Sequence, residues 1–330
     1  MKKKYDIIGI GNAIVDVISQ SGDAFLQQMG IEKGIMQLVE RDRSELLYEA
    51  MQNRTQTPGG AVANTLVGLG ALGLRTGFIG RVNDDALGQF YARSTTDGGT
   101  DFLNPPVKNG ELPTSRSMIF VSEDGERSMN TYLGISAELG PEDIPAGAAA
   151  DADTVFLEGY LFDKDKGKDA FIHLSRSCRA AGGTAGIAIS DPFCVERHRA
   201  DFLNLITNEL DYVVGNEAEV KSLFETDDLD QALAQTAAIC DLVVCTRSSD
   251  GVSVIRNGQR CDVAVEKVVP VDATGAGDQF AAGFLYGLLS GFDTETCCKM
   301  GSVAATEVIS HIGPRPNEDV KALFAANGLL

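Results

Sequence analysis

The amino-acid sequence predicts an α/β fold in which a central, mostly parallel sheet is flanked by helices and carries two β-rich excursions. Three observations support this. Short apolar strands alternate with longer helical patterns along most of the chain, which is typical of βαβ units. The first strand, Tyr5–Gly11, is an almost continuous apolar run, as expected of a buried strand. Two turn-rich segments interrupt the alternation.

The predicted strands are short and β-rich, and the predicted helices repeat apolar residues at helical spacing. The strands are Tyr5–Gly11, Thr76–Gly80, Val155–Gly159, Thr184–Ile189, Tyr212–Gly215 and Leu242–Thr246. The helices are Ala61–Leu72, Lys166–Ala181, Arg199–Glu209, Ala218–Phe224, Leu229–Ile239, Gly275–Ser290 and Asp293–Ile309.

The two excursions cover about residues 13–38 and 99–136, where Gly, Pro and Asn punctuate β-rich sequence. The second contains a hairpin pattern, with Ser115–Ser122 and Arg127–Leu133 joined by Glu123–Glu126. A length of 330 residues allows one large domain or two smaller ones. We interpret the excursions as parts of a single domain that spans residues 1–330.

Composition excludes several classes of partner. The formal net charge of −19 repels nucleic-acid backbones and anionic lipids, so neither is an expected partner. No stretch approaches the roughly 20 apolar residues that a membrane span requires. The seven cysteines show no C-x-x-C spacing, which argues against a disulfide framework or a zinc site. We therefore expect a cytoplasmic protein.

Two common phosphate-binding motifs are not supported. The glycines of Gly68–Gly73 match G-x-G-x-x-G, but a predicted helix precedes them and a strand follows, the reverse of a dinucleotide site. Termination of a helix explains these glycines better. The sequence G-x-x-x-x-G-K-[ST] does not occur.

The run Val271–Asp278 supplies an anion site of another kind. A helix is predicted to begin near Gly275, and the small residues Gly275, Ala276 and Gly277 leave its first-turn amides open to an anion. Asp278 lies in the same turn, where it can accept a proton from an attacking hydroxyl beside a phosphoryl group. Simple helix capping by this motif is the alternative.

Other polar positions allow structural or functional interpretations. Asn12 and Asp16 follow the first strand, at the edge where parallel sheets present ligands. A carboxylate there suits vicinal hydroxyls, although Asp16 is equally explained as a solvated strand end. Gly59-Gly60 after a proline is typical of a turn. The sequence from Asn216 to Glu219 is typical of a helix cap.

With these residues in view, the chain resembles the ribokinase-like (PfkB) carbohydrate kinase family over nearly its whole length. The family signature D-T-x-G-A-G-D appears as Asp272–Asp278, with Ala273 in place of Thr. Its N-terminal signature is similar to Pro58–Asn64 followed by Gly80–Gly88, and its N-x-x-E motif to Asn216–Glu219. The resemblance implies a ribokinase-like fold in which the two excursions form a lid.

The resemblance also implies roles for individual residues. Asp278 is the implied base, and Gly275, Ala276 and Gly277 the implied anion hole. ATP and Mg²⁺ are the implied cofactors, with Glu219 acting on Mg²⁺ through water and Asp272 as a site for a monovalent cation such as K⁺. The implied substrate ligands are Asn12, Asp16, Gly59, Gly60, Asn64 and Arg127, and the implied ATP ligands are Asn216, Glu219, Thr246 and Gly251.

The sequence is most similar to the adenosine kinase branch of this family, in its segments Ala13–Arg43, Gly125–Leu133 and Ser190–Phe193. That branch implies phosphorylation of the primary hydroxyl of a ribose-containing substrate, adenosine above all. The alternative substrate is a free sugar such as ribose or fructose. An alternative from another class of protein is a non-catalytic sensor of nucleotides or sugars. Tyr160, Ile14 and Phe120 are candidates to cover a base, and a monomer and a homodimer are both allowed.

Overall fold

The strands and helices were located in a computed structural model that describes residues 2–330, where the chain forms 14 strands and 11 α-helices. The strands are β1 (Tyr5–Ile10), β2 (Ile14–Gln20), β3 (Met36–Leu38), β4 (Thr55–Pro58), β5 (Thr76–Ile79), β6 (Thr100–Phe102), β7 (Ser115–Val121), β8 (Arg127–Tyr132), β9 (Ala152–Glu158), β10 (Thr184–Ala188), β11 (Tyr212–Asn216), β12 (Leu242–Thr246), β13 (Val252–Arg256) and β14 (Gln259–Val263). The helices are α1 (Asp23–Gln28), α2 (Arg41–Ala50), α3 (Ala61–Ala71), α4 (Ala86–Asp97), α5 (Asp165–Ala180), α6 (Pro192–Glu209), α7 (Glu217–Leu223), α8 (Leu229–Ala237), α9 (Ala276–Leu289), α10 (Thr294–Val308) and α11 (Val320–Ala326).

Nine strands form the larger sheet, in the order β14-β13-β12-β11-β10-β9-β1-β5-β6. The seven strands from β12 to β6 are parallel, and β13 and β14 add an antiparallel edge. The predicted fold class, a mostly parallel sheet flanked by helices, is therefore confirmed.

Two hydrophobic cores cover the faces of this sheet, and strand β1 shows why its inner residues are apolar. Ile7 packs into the core formed with α3, α9 and α10, whereas Ile8 and Ile10 pack into the core formed with α5 and α6. All three side chains are fully buried. Because alternate side chains of a strand point to opposite faces, a strand covered by helices on both sides carries apolar residues at successive positions, as at Ile7 and Ile8.

The smaller sheet has five strands, in the order β3-β8-β7-β2-β4. The predicted hairpin is present, since β7 and β8 pair antiparallel. Two boundaries of the predicted lid differ from the structure. Thr100–Phe102 pairs with β5 and belongs to the larger sheet, and Thr55–Pro58, which lies outside both predicted excursions, pairs with β2 in the smaller one. Strand pairing at these places joins segments far apart in the chain, so local pattern does not reveal it.

Glycines mark the end of one helix and the packing of another. Gly70 lies inside α3 and Gly73, at a φ of +99°, follows its end, which confirms the interpretation of Gly68–Gly73 as a terminating helix. Gly283 of α9 faces α10 so closely that a Cβ would lie 2.5 Å from the Met300 carbonyl oxygen.

No helix within residues 2–330 has the length and apolar character to cross a membrane.

Candidate active site

Polar side chains gather where parallel strands of the larger sheet end. Asn12 follows β1, Glu158 ends β9, Asn216 ends β11 and Thr246 ends β12. The carboxyl ends of parallel strands share one edge, which is the usual ligand-binding edge of such sheets. A cleft of about 610 Å³ opens beside it, and its lining includes Asn216, Glu219, Thr246, Gly277 and Asp278.

Helix α9 begins at the floor of this cleft. Gly275, its N-cap, has a φ of +81°, and a Cβ there would lie 2.5 Å from the Cα of Pro314, so only glycine fits. The Ala276 amide donates to the Ala273 carbonyl oxygen at 3.2 Å, so it is partly engaged. Gly277 faces open space. The positive end of the helix dipole therefore lies at the cleft, and an anion hole built from Gly275, Ala276 and Gly277 stays a prediction.

The Asp278 carboxylate lies half-buried at the start of α9. Asn64 Nδ2 donates to its Oδ2 at 3.0 Å, and the Thr65 hydroxyl donates to its backbone carbonyl at 3.1 Å. Burial raises the pKa of Asp278 to about 7, and the negative charges of Glu158 and Asp16 act in the same direction. A carboxylate poised near neutrality is suited to general-base chemistry.

Asp16 lies on strand β2 of the smaller sheet, and Arg127 and Arg315 act on its charge. Burial raises its pKa to about 7, against the opposing effect of these two arginines. Gly59 packs so closely that a Cβ there would lie 2.8 Å from Asp16 Oδ2. We call Asp16, Asn64, Asp278 and Arg315 the acceptor cluster.

Gly59 and Gly60 form the turn that leads from β4 into helix α3. Gly60 has a φ of +99°, and a Cβ there would lie 2.2 Å from the Asn12 carbonyl oxygen. The Tyr91 hydroxyl donates to the Gly59 carbonyl oxygen at 2.9 Å. The turn predicted for this dipeptide is confirmed, and it brings the smaller sheet against the acceptor cluster.

Asn12 is buried, and its amide is bonded within the protein. Its Nδ2 donates to Glu158 Oε1 at 3.0 Å, and its Oδ1 accepts the Ser136 hydroxyl at 2.6 Å. Glu158 Oε2 also accepts the Val62 amide at 3.0 Å, which ties β9 to the start of α3. The structure therefore places Asn12 in the framework that positions the turn and helix α3, and a direct contact with substrate stays a prediction.

Arg127 of β8 crosses from the smaller sheet to the loop before α9. Its Nη1 donates to Asp272 Oδ2 at 2.6 Å and to the Thr274 hydroxyl at 2.7 Å. Asp272 Oδ2 also accepts the Gly313 amide, and its Oδ1 accepts the amide and hydroxyl of Thr274. Although burial acts to raise the pKa of Asp272, the Thr274 and Gly313 hydrogen bonds and the Arg127 charge together lower it.

These contacts do not fit the predicted monovalent cation at Asp272. Each carboxylate oxygen already accepts two hydrogen bonds, and a guanidinium occupies the place of a counter-ion. The amides of Val271 and Asp272 also both use the Ile309 carbonyl oxygen. We therefore assign no role to K⁺.

Asn216 and Glu219 form a reciprocal capping box at the start of α7. Glu219 Oε2 accepts the Asn216 amide at 2.9 Å, its Oε1 accepts Asn216 Nδ2 at 2.6 Å, and its own amide donates to Asn216 Oδ1. Burial raises the pKa of Glu219 to about 7. Each carboxylate oxygen retains a lone pair at the cleft wall, which fits a Mg²⁺ ion bound through water. Within residues 2–330 no cluster of three or more metal-ligating side chains occurs.

Thr246 and Gly251 bracket a tight turn in the cleft wall. Gly251 has a φ of +97°, and a Cβ would lie 2.1 Å from the Val263 carbonyl oxygen. Ser248, in the same turn, has a φ of +49° and lines the same cleft. The backbone shape that glycine favours is therefore kept at Ser248.

Sequence reasoning missed two charged residues and misplaced one aromatic residue. Glu158 gives no local signal, because it ends an otherwise ordinary strand. Arg315 lies in the loop after α10, and its Nε donates to Asn64 Oδ1 at 3.3 Å. Phe120 is fully buried and packs against Phe25 with ring centroids 5.7 Å apart, so it cannot cover a base. Tyr160 lines the cleft beside α9.

Comparison with known proteins agrees with this geometry. The sequence pattern of the pfkB family carbohydrate kinases matches residues 34–321. The structure of an adenosine kinase from Sinorhizobium meliloti is 44% identical, with a TM-score of 0.90 over 99% of this chain and 100% of that one. A probable sugar kinase from Rhizobium etli CFN 42 is 41% identical, with a TM-score of 0.91 over the same shares. A fructokinase from Klebsiella pneumoniae is 30% identical over 74% of this chain and 81% of its own length.

The fold and these similarities define a kinase of the class that phosphorylates sugars or nucleosides. The chain belongs to the pfkB family of carbohydrate kinases, and its architecture is the ribokinase-like fold of that family.

Proposed function

We propose that this kinase transfers the γ-phosphoryl group of ATP to the primary hydroxyl of a ribose-containing nucleoside, with adenosine as the acceptor. The observation that carries the proposal is the acceptor cluster, in which Asp278 at the anion-binding helix end and Asp16 on the smaller sheet are close enough for their charges to interact. One carboxylate suits the reacting hydroxyl, and the other suits the hydroxyls of the sugar ring.

Asp278 is the proposed general base. Its Oδ2 is oriented by Asn64 Nδ2, which leaves Oδ1 to accept the proton of the attacking hydroxyl. As that oxygen bonds to the γ-phosphorus, the bond to the leaving ADP breaks. The open amides at Gly277 and Asp278 are placed to stabilise charge on the phosphoryl oxygens.

Asp16 is the proposed anchor of the acceptor. Two vicinal hydroxyls can both donate to one carboxylate, which fixes the ring relative to the base. The turn before α3 packs against Asp16 through Gly59, and Asn64 of α3 donates to Asp278. A sugar ring held in this way would present its primary hydroxyl to Asp278.

The surface beside Asp16 favours a nucleoside over a free sugar. The strand register places Ile18, Ile119, Met129 and Met36 in one row across the smaller sheet, two residues from Asp16 and on the same face. Arg127 follows on that face and reaches Asp272, so the row looks toward the larger sheet. An apolar row next to a sugar anchor suits an aromatic base, and a free sugar would leave it uncovered.

The proposed ATP side is the cleft beside α9. Arg127 Nε is buried and has no hydrogen-bond partner, so it is available to a phosphate oxygen. Asn216 and Glu219 would hold the hydration shell of Mg²⁺, which when bound would neutralise charge on the phosphates. Closure of the smaller sheet as a lid would exclude water from the reacting centre.

The second candidate is phosphorylation of a free sugar. The Klebsiella fructokinase and the Rhizobium protein, named a probable sugar kinase, support it. The adenosine kinase from Sinorhizobium, at 44% identity over the full length, supports the first. Both candidates use the same base and anion site.

A substrate panel tests the choice. ADP formation is measured with purified full-length protein, ATP and Mg²⁺, against adenosine, other nucleosides, ribose and fructose at matched concentrations. We expect adenosine to give a kcat/KM at least about 100-fold above that of any free sugar, because the base adds apolar contact worth several kcal/mol. Turnover confined to free sugars would refute the nucleoside assignment and leave the second candidate.

A further inference from the structure

The loop after helix α10 is held beside the start of α9 by two adjacent residues, Gly313 and Pro314. The Gly313 amide donates to Asp272 Oδ2 at 3.0 Å, and the Pro314 carbonyl oxygen accepts Gln279 Nε2 at 3.1 Å. Pro314 also packs against Gly275, where a Cβ would clash. These contacts constrain the backbone at the next residue, Arg315, and its side chain lies in the acceptor cluster.

Arg315 is linked to the base through one side chain. Its Nε donates to Asn64 Oδ1 at 3.3 Å, and Asn64 Nδ2 donates to Asp278 Oδ2 at 3.0 Å. Arg315 Nη2 is buried and has no hydrogen-bond partner. A buried guanidinium N–H without a partner is costly, so its retention here calls for a functional reason.

The charged groups around Asp278 show how the Arg315 guanidinium affects the ionisation of this carboxyl group. The acidic groups that face Asp278 are Glu158 from β9 and Asp16 from β2, and both oppose its ionisation. Tyr160 also lies near and is neutral, since burial raises the pKa of its hydroxyl. Arg315 is the cation that acts on Asp278, whereas Arg127 is paired with Asp272. Burial lowers the pKa of Arg315, while Tyr91, Asp16 and Asp278 act to raise it.

We propose that Arg315 is the internal counter-charge of the acceptor cluster, a positioning residue that acts through Asn64 to keep Asp278 ionised and oriented before the acceptor hydroxyl arrives. The inference rests on the proposed phosphoryl transfer. When Asp278 takes the hydroxyl proton it becomes neutral, and Arg315 then faces one negative charge fewer. Its unpartnered Nη2 hydrogen can at that moment donate to an oxygen of the bound ligand, and the proton leaves Asp278 to solvent after product release.

The direct test is titration of Asp278 in the full-length protein. Aspartate side chains are labelled with ¹³C at Cγ, and the Asp278 resonance is identified by its loss in Asp278→Asn. We expect the titration midpoint to rise by about one pH unit or more in Arg315→Gln, since an opposite charge at this range lowers a carboxyl pKa by about that much. Arg315→Lys, which keeps the charge, should stay within about half a pH unit of the native protein.

Two matched measurements make the result decisive. Arg93→Gln, an exposed arginine of α4, should leave the Asp278 midpoint unchanged. The acidic limb of the pH profile of kcat/KM should move with the midpoint in the Arg315 variants, which a purely structural role would not produce. An unchanged midpoint in folded Arg315→Gln overturns the inference, and so does an equal rise in Arg315→Lys.

The titration also separates this inference from the proposed function. Absence of phosphoryl transfer by the native protein would refute the proposed function, whereas the Asp278 midpoint can still be read without turnover. If circular dichroism shows that Arg315→Gln does not fold, Arg315→Ala is titrated with and without millimolar guanidinium ion. A lower midpoint with guanidinium than with sodium chloride of equal ionic strength supports the inference, and equal midpoints overturn it.

Discussion

Arg127 Nη1 lies 2.6 Å from Asp272 Oδ2, and this ion pair joins strand β8 of the smaller sheet to the loop that precedes helix α9. The side chains are 19% and 8% exposed, so the pair is largely shielded from water. It connects the two sheets at the point where ATP phosphates are proposed to bind.

Replacement of Arg127 by Gln should therefore destabilise the protein. Asp272 keeps its Thr274 and Gly313 hydrogen bonds but loses its counter-charge, which we expect to cost about 1–3 kcal/mol of unfolding free energy. Urea denaturation followed by circular dichroism measures this. Arg41→Gln is the control, because Arg41 pairs with Glu45 in solvent and its loss should leave the unfolding free energy almost unchanged. Equal losses of unfolding free energy in the two variants would contradict a stabilising role for the shielded Arg127–Asp272 pair.

Turnover should not depend on potassium. Both oxygens of the Asp272 carboxylate already accept two hydrogen bonds, and the Arg127 guanidinium supplies its counter-charge. We expect kcat to change by less than about twofold when K⁺ replaces Na⁺ at constant ionic strength. ADP is quantified by chromatography, because coupling enzymes can themselves respond to potassium. A tenfold activation by K⁺ would show that a cation site exists despite these contacts.

Asp278→Asn should abolish most turnover and keep nucleotide binding. An amide cannot accept the hydroxyl proton, and loss of a general base lowers rates by about 10²–10⁴-fold. Asn64 can still donate to the new side chain, so the start of α9 should be preserved. Steady-state kinetics and calorimetric titration with ATP measure the two effects. Asp293→Asn, an exposed helix cap on α10, is the matched control and should retain full activity. Near-normal turnover in Asp278→Asn would remove Asp278 as the base.

Elements with strong apolar periodicity were predictable from sequence. Helix α9 was predicted at residues 275–290 and is observed at Ala276–Leu289, and strand β12 agrees at every residue. Helix α2 was missed, because Ser44 and Leu47 are the buried residues among its 10 and its pattern is mostly polar. Secondary structure without a clear apolar face depends on tertiary packing, which a local pattern does not contain.

The candidate site was predictable only where one motif supplies it. The start of α9 and Asp278 lie within a few residues of each other, so one motif indicates both. Asn64 and Asp278, by contrast, are 214 residues apart, and Arg315 and Asn64 are 251 apart. These contacts depend on how the α3 and α10 segments pack against α9, and nothing near Arg315 in the sequence indicates its partners.

Asp16→Asn should stabilise the protein above neutral pH. The folded-state pKa of Asp16 is raised to about 7, so the native protein takes up a proton there that the unfolded chain has lost. The contribution of this group to stability is present at low pH and is lost as the pH rises through 7. Relative to the native protein, the unfolding free energy of the variant should rise by about 2–3 kcal/mol from pH 5 to pH 8. Urea denaturation at both pH values measures it, with Asp97→Asn at the exposed end of α4 as the control. A constant difference between the two pH values would contradict the shifted pKa.

Ile18→Thr should weaken binding of a nucleoside and spare a free sugar. Ile18 lies in the apolar row on the Asp16 face of the smaller sheet, and Thr keeps the β-branched shape that suits a strand. Replacing a methylene and a methyl group by a hydroxyl removes about 1 kcal/mol of apolar contact with a base, which corresponds to about a fivefold higher KM for adenosine. The KM for ribose, measured in the same assay, should change by less than about twofold, because a free sugar does not extend from Asp16 to this row. Ile255→Thr, a half-buried change on β13 away from the acceptor cluster, should leave both values unchanged. Equal rises for adenosine and ribose would mean that Ile18 supports the position of Asp16 and does not contact a base.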